Sequence, residues 1–476
     1  MNAPICDFVS AYEQRRALRL HMPGHKGRGD MGVEKWDITE IDGADVLYQG
    51  RGVIRQSQEN AARLFGTGRT LYSTEGSSLC IRAMLYLVCL WAARKGQKPS
   101  VLAARNAHKV FIHTAALLDM EVDWLFPEES SLLACRVTPA QLETALSKGA
   151  PTAVYITSPD YLGNRADIAA LAQVCHRYGA LLLVDNAHGT YLKFLSQSEH
   201  PMDLGADLCC DSAHKTLPVL TGGAYLHVAR EPFLMEQADN AMALFASTSP
   251  SYLILQSLDR ANQLLDGAFP QKLRETAVFL QQCRLSLPGY IFVGDEPLKW
   301  TLRTKPMGYR GEDLATLLSR LGVECEFADP DFVVMMFSPL NTPEELSGLV
   351  AILQAIPARE PIAEQPPALP QPRRRMRPHD ALMSPREQVP LCRAAGRILA
   401  AASITCPPAV PVVALGEEIS PEAVACMAYY HIETVTVAGG STPCTRDCDA
   451  GEGSSNRFSA GSGSTNFTRD IHRRGF

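Results

Sequence analysis

The chain has 476 residues, of which 46% are hydrophobic and 20% are charged. This balance is typical of a globular protein with more than one domain and a sizeable buried core. The net charge of −6 gives no reason to expect binding to nucleic acid or to an anionic membrane. The N-terminus, MNAPICDFVSAYEQRR, carries charges early and has no long apolar core, so we do not expect a secretory signal.

The first half of the chain predicts an α/β domain. Residues 1–65 are rich in loop formers and predict an N-terminal arm, and residues 66–285 predict a major domain. In the latter, amphipathic stretches such as 168–178 alternate with short apolar runs, which are AVYIT (153–157), LLLVD (181–185) and AYLHV (224–228). Such alternation predicts a mostly parallel sheet with helices on both faces. Residues 251–285 read as one long helix.

One apolar run, residues 83–93, is the longest in the chain. It is far shorter than the roughly 20 residues that a membrane span needs. We therefore expect a buried helix and no membrane partner.

The second half predicts smaller units. Residues 286–356 suggest a small α+β domain, and residues 357–380 form a Pro- and Arg-rich stretch that we read as a solvated linker. A C-terminal domain is expected over 381–440. Residues 441–476 are rich in Gly, Ser and Thr, and we expect disorder there.

The 14 cysteines show no CxxC pair, so we expect reduced thiols and no metal site. Cys444 and Cys448 are the only pair at ligand-like spacing. No His or Cys partner pair lies nearby, so zinc is not expected there either.

Two motifs could hold parts of a cofactor. TEGSS (74–78) precedes the apolar helix, and the free N–H groups of a helix start can bind a phosphate; an ordinary N-cap is the alternative. RNAHK (105–109) places His108 after a short apolar run. Its imidazole could stack on an aromatic cofactor ring, although most such histidines are surface residues.

Two further motifs carry an acid and an amine. DNAHG (185–189) places Asp185 at the end of a buried strand, where ligands bind in parallel sheets. Its carboxylate could pair with a protonated ring nitrogen, and Ala187 is small enough to let a flat ring approach; capping of the next helix is the alternative. DSAHKT (211–216) holds Lys215, which suits a Schiff-base lysine. The separation of 30 residues predicts that Asp185 and Lys215 reach one crevice from neighbouring strands.

In this order, the motifs resemble those of the Orn/Lys/Arg decarboxylase family of fold-type I pyridoxal-5′-phosphate (PLP) enzymes. Further segments carry the resemblance, namely HMPGHK (21–26), DITEI (37–41), GVI (52–54), TSPDY (157–161) and FASTSP (245–250). It resumes more weakly at 383–387 and 411–419. The chain is similar to the short form of the family, which lacks an N-terminal wing domain. The resemblance implies a fold-type I, transferase-like major domain and a small C-terminal α+β domain.

The resemblance also implies residue roles. Lys215 would hold PLP as an imine, Asp185 would bind the pyridine nitrogen with Ala187 beside the ring, and His108 would stack on the ring. His188 would lie near the substrate carboxylate and could assist protonation at Cα. The phosphate would be bound by Gly76, Ser77, Ser78, Ser212 and His214, and by Thr248 or Ser249 of the neighbouring subunit.

Several positions depart from the family pattern. Asn186 stands where many members have Glu, and Leu415 replaces the proline of a Pro-Gly-Glu motif. The glutamate of that motif implies that Glu417 lies near the distal cationic group of the substrate. Asp160, at a position that is often Thr or Asn, and the adjacent Tyr161 are the other expected substrate residues.

The expected activity is decarboxylation of a basic amino acid, arginine or lysine in preference to ornithine, by a cytoplasmic homodimer or higher homo-oligomer. Polyamine synthesis is the expected pathway. Two alternatives stay open. One is another fold-type I reaction, such as that of an aminotransferase or carbon–sulfur lyase. The other is a catalytically idle paralogue that regulates an active subunit.

Overall fold

A seven-stranded sheet forms the centre of the computed structural model, which describes residues 1–127, 133–401 and 410–439. The order across the sheet is β1-β7-β6-β5-β4-β2-β3. Strand β7 pairs antiparallel with β1 and β6, and the pairings among β2, β3, β4, β5 and β6 are parallel, so the expected mostly parallel sheet is confirmed. The strands are β1 (Arg69–Ser73), β2 (Ser100–Ala104), β3 (Glu121–Leu125), β4 (Ala153–Thr157), β5 (Leu181–Asp185), β6 (Leu208–Asp211) and β7 (Ala224–Val228).

Strand β5 shows why both faces of the sheet are covered. Successive side chains of a strand point to opposite faces. Leu183 accordingly packs in the core beneath α3, whereas Leu182 and Val184 pack in the core beneath α6. The surrounding helices are α1 (Pro4–Gln14), α2 (Val53–Phe65), α3 (Gly76–Arg94), α4 (Lys109–Leu117), α5 (Pro139–Leu146), α6 (Ile168–Arg177), α7 (Ala213–Thr216), α8 (Pro232–Ala243), α9 (Tyr252–Leu265) and α10 (Phe269–Leu285).

Helix α3 contains the apolar run expected to be buried. By length and composition alone it could cross a membrane. It packs instead against α4, α8 and the sheet, and side chains such as Leu79, Met84 and Leu87 are buried. It is therefore a core helix of the major domain.

One expectation about the helices is wrong. The segment 251–285 forms two helices, α9 and α10, with a break between Leu265 and Phe269. Gly267 lies in the break, and Pro270 stands in the first turn of α10. Glycine weakens a helix, and proline is tolerated only where a helix begins, so these two residues account for the interruption.

A second, antiparallel sheet follows the major domain. Its strand order is β10-β11-β9-β8, and it lies in the segment expected to be a small α+β domain. Its elements are β8 (Ile291–Val293), β9 (Lys299–Arg303), α11 (Gly311–Arg320), β10 (Phe327–Ala328), β11 (Phe332–Met336) and α12 (Pro343–Ala355). The first residue of β9 reaches the site described below.

The C-terminal segment forms a three-stranded antiparallel sheet with the order β12-β14-β13. Its elements are α13 (Pro378–Met383), β12 (Arg386–Pro390), β13 (Leu399–Ala401), α14 (Pro421–Tyr429) and β14 (Thr434–Ala438). Contacts within Met1–Thr442 define one compact unit. The expected disordered tail, with Cys444 and Cys448, lies outside the described residues.

The Arg-rich segment before α13, which the sequence predicts to be a solvated linker, has exposed arginines that also contact the major domain. Arg374 donates from Nη1 to the carbonyl of Val122 at 3.0 Å. Arg377 donates from Nη1 to both carboxylate oxygens of Asp119 at 3.2 Å. Carbonyl and carboxylate oxygens at the edge of the major domain therefore satisfy these cations.

Candidate active site

Asp185 and Lys215 lie at the same edge of the central sheet. Strands β5 and β6 are parallel neighbours, with Asp185 paired in register with Cys210. Asp185 ends β5, and the single turn α7 places Lys215 just after β6. Because the carboxyl ends of parallel strands meet at one edge, the two side chains approach one crevice, as the sequence predicts.

The carboxylate of Asp185 is buried and accepts three hydrogen bonds, one of them from the thiol of Cys210 to Oδ1 at 3.5 Å. Its Oδ2 accepts a bond from the hydroxyl of Tyr155 at 2.9 Å, and its Oδ1 accepts one from the backbone N–H of Ala187 at 3.2 Å. Burial and the nearby Asp185 raise the pKa of Tyr155 well above its ordinary value, so Tyr155 stays a donor. Tyr155 was not singled out in the sequence because it reads only as a strand residue.

His188 lies between two lysines. Its Nε2 is 2.9 Å from Nζ of Lys215, and its Nδ1 is 3.2 Å from Nζ of Lys299. Burial, reinforced by neighbouring positive charge such as that of Lys299, holds the pKa of His188 well below its ordinary value. The ring of Tyr161 packs edge-to-face against it, with 5.2 Å between ring centroids. Lys299 was missed in the sequence because no motif marks it.

His108 caps the start of α4, where its Nδ1 accepts a hydrogen bond from the N–H of Val110 at 3.2 Å. Burial lowers the pKa of His108, the negative charge of Asp185 opposes this shift, and a positive charge on Lys215 would add to it. His108 is thus within electrostatic reach of both groups, and its imidazole is favoured in the neutral form.

The start of α3 forms a polar cradle next to α7. Ser212 donates from its hydroxyl to Oγ of Ser77 at 2.8 Å. Gly76 has a φ of 71°, and a Cβ added there would meet no atom within 4 Å, so the space beside it is open. Ser78 follows in the same turn, whose backbone N–H groups lack intrahelical acceptors.

The glycine turn before β7 supports this cradle. The carbonyl of Gly222 accepts the N–H of Gly76 at 2.7 Å. The carbonyl of Gly223 contacts both the backbone N–H of His214 at 3.1 Å and its Nδ1 at 3.0 Å. Hydroxyls, free N–H groups, an amine and a carboxylate thus surround one crevice, a donor set that fits the phosphate, aldehyde and pyridine nitrogen of PLP.

Thr248 and Ser249 are exposed in the single chain. Their loop is attached beside α3, because the N–H of Ser247 donates to Oε1 of Glu75 at 2.8 Å. The expectation that Thr248 or Ser249 reaches the phosphate of a neighbouring subunit involves a second chain and stays a prediction.

The two carboxylates expected to bind the substrate both have internal partners. Glu417 forms a buried ion pair with Arg105, at 2.8 Å. Asp160 accepts hydrogen bonds from the N–H groups of Leu162 and Asn164 and from the side chain of Asn164. Burial raises the pKa of Asp160 to about 6, against the opposing effect of these bonds.

A third carboxylate, Glu326, was missed in the sequence. It is exposed, and its Oε1 accepts a hydrogen bond from the hydroxyl of Tyr161 at 3.2 Å. Burial lowers the pKa of His214, and the negative charge of Glu326 opposes this shift. Glu326 therefore lies within electrostatic reach of the crevice.

Asn186, which departs from the family pattern, joins a buried network. Its Nδ2 donates to Oδ1 of Asp211 at 2.7 Å, while His200 and His227 each contact Oδ2 through Nε2, at 3.0 and 3.1 Å. Leu415, the other departure, is buried in the core beneath α3. Both unusual residues therefore have internal packing or hydrogen-bonding roles.

His200, Cys209 and Asp211 are close enough to suggest a metal site. The N–H of Met202 donates to Nδ1 of His200 at 3.3 Å, so Nδ1 is unprotonated and the ring proton lies on Nε2. An Nε2–H has no lone pair for a metal. The cluster is better described as a hydrogen-bond network on Asp211.

The fold is that of the fold-type I PLP-dependent enzymes. The Francisella novicida lysine decarboxylase LdcF superposes with a TM-score of 0.75 over 92% of this chain and 81% of that one, at 17% identity.

The chain belongs to the Orn/Lys/Arg decarboxylase family, and it is a decarboxylase. The family's major-domain model matches residues 3–284, and its C-terminal-domain model matches residues 365–437. Among curated relatives, the arginine decarboxylase of Bacillus subtilis is 28% identical over 457 residues, which cover 88% of this chain and 91% of the relative. The uncharacterized protein YaaO of the same organism is 29% identical, with 89% and 93% covered.

Proposed function

We propose that the chain catalyses the PLP-dependent decarboxylation of a basic amino acid, with L-arginine as the first candidate substrate. The observation that carries the proposal is the close contact of Lys215 with His188, 2.9 Å apart, at the sheet edge where Asp185 ends the neighbouring strand. An amine, a proton carrier and a buried carboxylate meet there, and these are the groups that the chemistry requires.

The residues that would hold the cofactor lie in the polar cradle at the start of α3 and at the adjacent edge of the sheet. Lys215 would bind its aldehyde carbon, Asp185 its pyridine nitrogen, and His108 with Ala187 would lie against its ring. Its phosphate would be bound by Gly76, Ser77, Ser78, Ser212 and His214, together with Thr248 or Ser249 of a second subunit. When bound, PLP accepts the electron pair that the departing carboxylate leaves behind.

The side chains of the chain itself would do three things. Asp185, held in place by Tyr155, would pair with the ring nitrogen and so favour its protonated form. His188 and Lys215 would hold the proton that must reach Cα after carbon dioxide leaves. Tyr161, packed on His188, would exclude water from that position.

A basic amino acid carries a distal ammonium or guanidinium group. This group needs an anionic partner in the site, because a buried cation requires a counter-charge. Glu417 and Asp160 remain proposals for this role, and Glu326 joins them because it is exposed and hydrogen-bonded to Tyr161. The name of the Bacillus subtilis relative, arginine decarboxylase, favours arginine over lysine and ornithine as the substrate.

We also propose a cytoplasmic homodimer that supplies polyamine synthesis. The N-terminal arm exposes Leu18, Leu20 and Met31, each more than 80% accessible. An apolar surface of this kind supports an interface with a second copy.

The test is parallel product analysis of the PLP-loaded protein with arginine, lysine and ornithine. We expect carbon dioxide and agmatine from arginine, and a visible absorbance band from the bound cofactor. Lys215→Ala should abolish both, whereas Lys193→Ala, which removes a lysine paired with Asp203, should abolish neither. A keto acid product would favour an aminotransferase, and cofactor absorbance without decarboxylation of any of the three would favour an idle paralogue.

A further inference from the structure

Lys299 is buried in the small domain but reaches the active site. It is the first residue of β9, and its side chain is 1% exposed. Its Nζ lies 2.7 Å from Oε2 of Glu296, 3.4 Å from the carbonyl of Asp160 and 3.2 Å from Nδ1 of His188. Since Lys299 is buried and ion-paired, it is not placed to bind a substrate carboxylate, and its effect must pass through His188.

The contact with Lys299 decides which nitrogen of His188 carries the proton. An ammonium group has three donors and no acceptor. Nδ1 of His188 must therefore accept, and the proton of the neutral ring must lie on Nε2. That Nε2–H points at Nζ of Lys215, 2.9 Å away. An amine nitrogen can accept this bond only when it is neutral.

We propose that Lys299 is a positioning residue that holds His188 as its Nε2–H tautomer and thereby keeps the amine of Lys215 in its neutral, nucleophilic form. This inference rests on the proposed function, in which Lys215 captures a carbonyl group. A protonated Lys215 could not do so. The small domain thus contributes to the site through one lysine.

The surrounding charges agree with this arrangement. Burial is the largest cause that holds the pKa of His188 well below its ordinary value, and the positive charge of Lys299 acts in the same direction whether or not Lys215 is protonated; the other ionisable groups that face the ring are Lys215, His108 and His214. His188 therefore stays neutral, as the tautomer argument requires.

The ion pair is itself held in place. Burial raises the pKa of Glu296, and the positive charge of Lys299 opposes that shift. The hydroxyl of Tyr191 donates to Oε1 of Glu296 at 3.3 Å, and the N–H of Leu298 donates to that hydroxyl at 3.2 Å. The position of Lys299 is thus fixed by groups outside the catalytic crevice.

The test compares two variants that differ only at Lys299, so that no buried carboxylate is left unpaired. These are Glu296→Gln, which keeps the lysine, and Glu296→Gln/Lys299→Met, which removes it. Both are studied as the cofactor-free full chain. The tautomer is read from ¹⁵N chemical shifts of histidine-labelled protein, with His188 assigned by His188→Gln. The protonation state of the Lys215 amine is measured as the rate at which Lys215 is acetylated near neutral pH. Peptide mass spectrometry follows this acetylation.

We expect an unprotonated Nδ1 on His188 in the wild type and in Glu296→Gln. In the double variant we expect Nδ1–H to appear and acetylation of Lys215 to slow about tenfold, the change that a pKa shift of about one unit produces. Lys305→Met is the control for loss of a buried lysine, since Lys305 lies in the same domain but pairs with Asp331 at 3.0 Å. It should leave both readouts unchanged.

A protonated Nδ1 on His188 in the wild type overturns the inference, even if the double variant does not fold. Equal slowing of acetylation in the double variant and in Lys305→Met overturns it as well, because the effect would then be general destabilisation. Neither readout uses PLP or substrate. Failure of the wild type to bind PLP or to release carbon dioxide would instead count against the proposed function.

Discussion

Arg105 and Glu417 form a buried ion pair that joins the carboxyl end of β2 to the C-terminal domain. Nη2 of Arg105 lies 2.8 Å from Oε2 of Glu417, and Nη1 lies 3.2 Å from Oε1. The guanidinium stacks over the ring of Trp124 at 4.7 Å. Both side chains are at most 4% exposed, so neither charge is compensated by water. The pair therefore accounts for the charge of Glu417 without a substrate.

We predict that Glu417→Gln lowers the free energy of unfolding by about 3 kcal/mol, because it leaves the charge of Arg105 buried and unpaired. Arg105→Met should cost a similar amount. The double variant Arg105→Met/Glu417→Leu should recover much of the loss, since it replaces both charges by apolar groups. Urea denaturation of the four proteins gives the coupling energy. A raised KM for arginine with unchanged stability in Glu417→Gln would show that Glu417 binds substrate instead.

The hydroxyl of Tyr155 should strengthen cofactor binding through Asp185. Tyr155→Phe removes the bond at 2.9 Å without changing the shape of the core. Hydrogen bonds to charged groups contribute about 1.5 kcal/mol or more, so we expect the Kd for PLP to rise about tenfold. The measurement is a titration of the cofactor-free protein followed by absorbance.

Tyr225→Phe is the matched control for that experiment. Tyr225 is also fully buried, but within the described residues its hydroxyl has no hydrogen-bond partner. Its removal should leave the Kd for PLP unchanged. An equal weakening in both variants would mean that Tyr155 acts through packing and not through Asp185.

The network on Asp211 should make stability depend on pH. Burial alone would raise the pKa of Asp211, but His200 and His227 more than offset this and hold it well below the ordinary value. A depressed pKa in the folded state gives stability that is present above the unfolded-state value of about 3.9 and is lost as the pH falls further. We expect Asp211→Asn to lower the free energy of unfolding by about 3 kcal/mol at neutral pH, and by less below pH of about 4.

Urea denaturation at several pH values measures this difference. Asp207→Asn provides the control, because Asp207 forms a similar pair with His176 at 2.9 Å in a partly exposed position. For Asp207→Asn we expect the free energy of unfolding to fall by about 1 kcal/mol or less. If the free energy of unfolding of Asp211→Asn stays below that of the wild type by the same amount from neutral pH to below pH of about 4, Asp211 does not stabilise the fold as a charged carboxylate.

Glu326 should contribute to recognition of the distal cation. Because it is exposed, the expected effect of Glu326→Gln is small, a rise in KM for arginine of about three- to fivefold with kcat nearly unchanged. Glu324→Gln, two residues earlier, is the control, since its Oε1 accepts a bond from Ser319 at 2.7 Å. Equal effects of the two substitutions would indicate long-range electrostatics and not direct contact.

The sequence by itself determined the architecture of the major domain. The apolar runs of β4, β5 and β7 were predicted with their observed bounds, because strands buried on both faces are continuously apolar and easily recognised. The same strands place Asp185 and Lys215 at one edge, since parallel strands end on the same side. Local pattern and strand direction were sufficient for this part of the site.

Only the tertiary structure decided which distant residues complete the site. Lys299 lies 111 residues from His188 in the chain, and Glu417 lies 312 residues from Arg105. No local pattern marks such partners, because a buried charge takes its counter-charge from whichever segment the fold brings within hydrogen-bond distance. The physical reason is that pairing of buried charges depends on distance in space, whereas a motif records only distance along the chain.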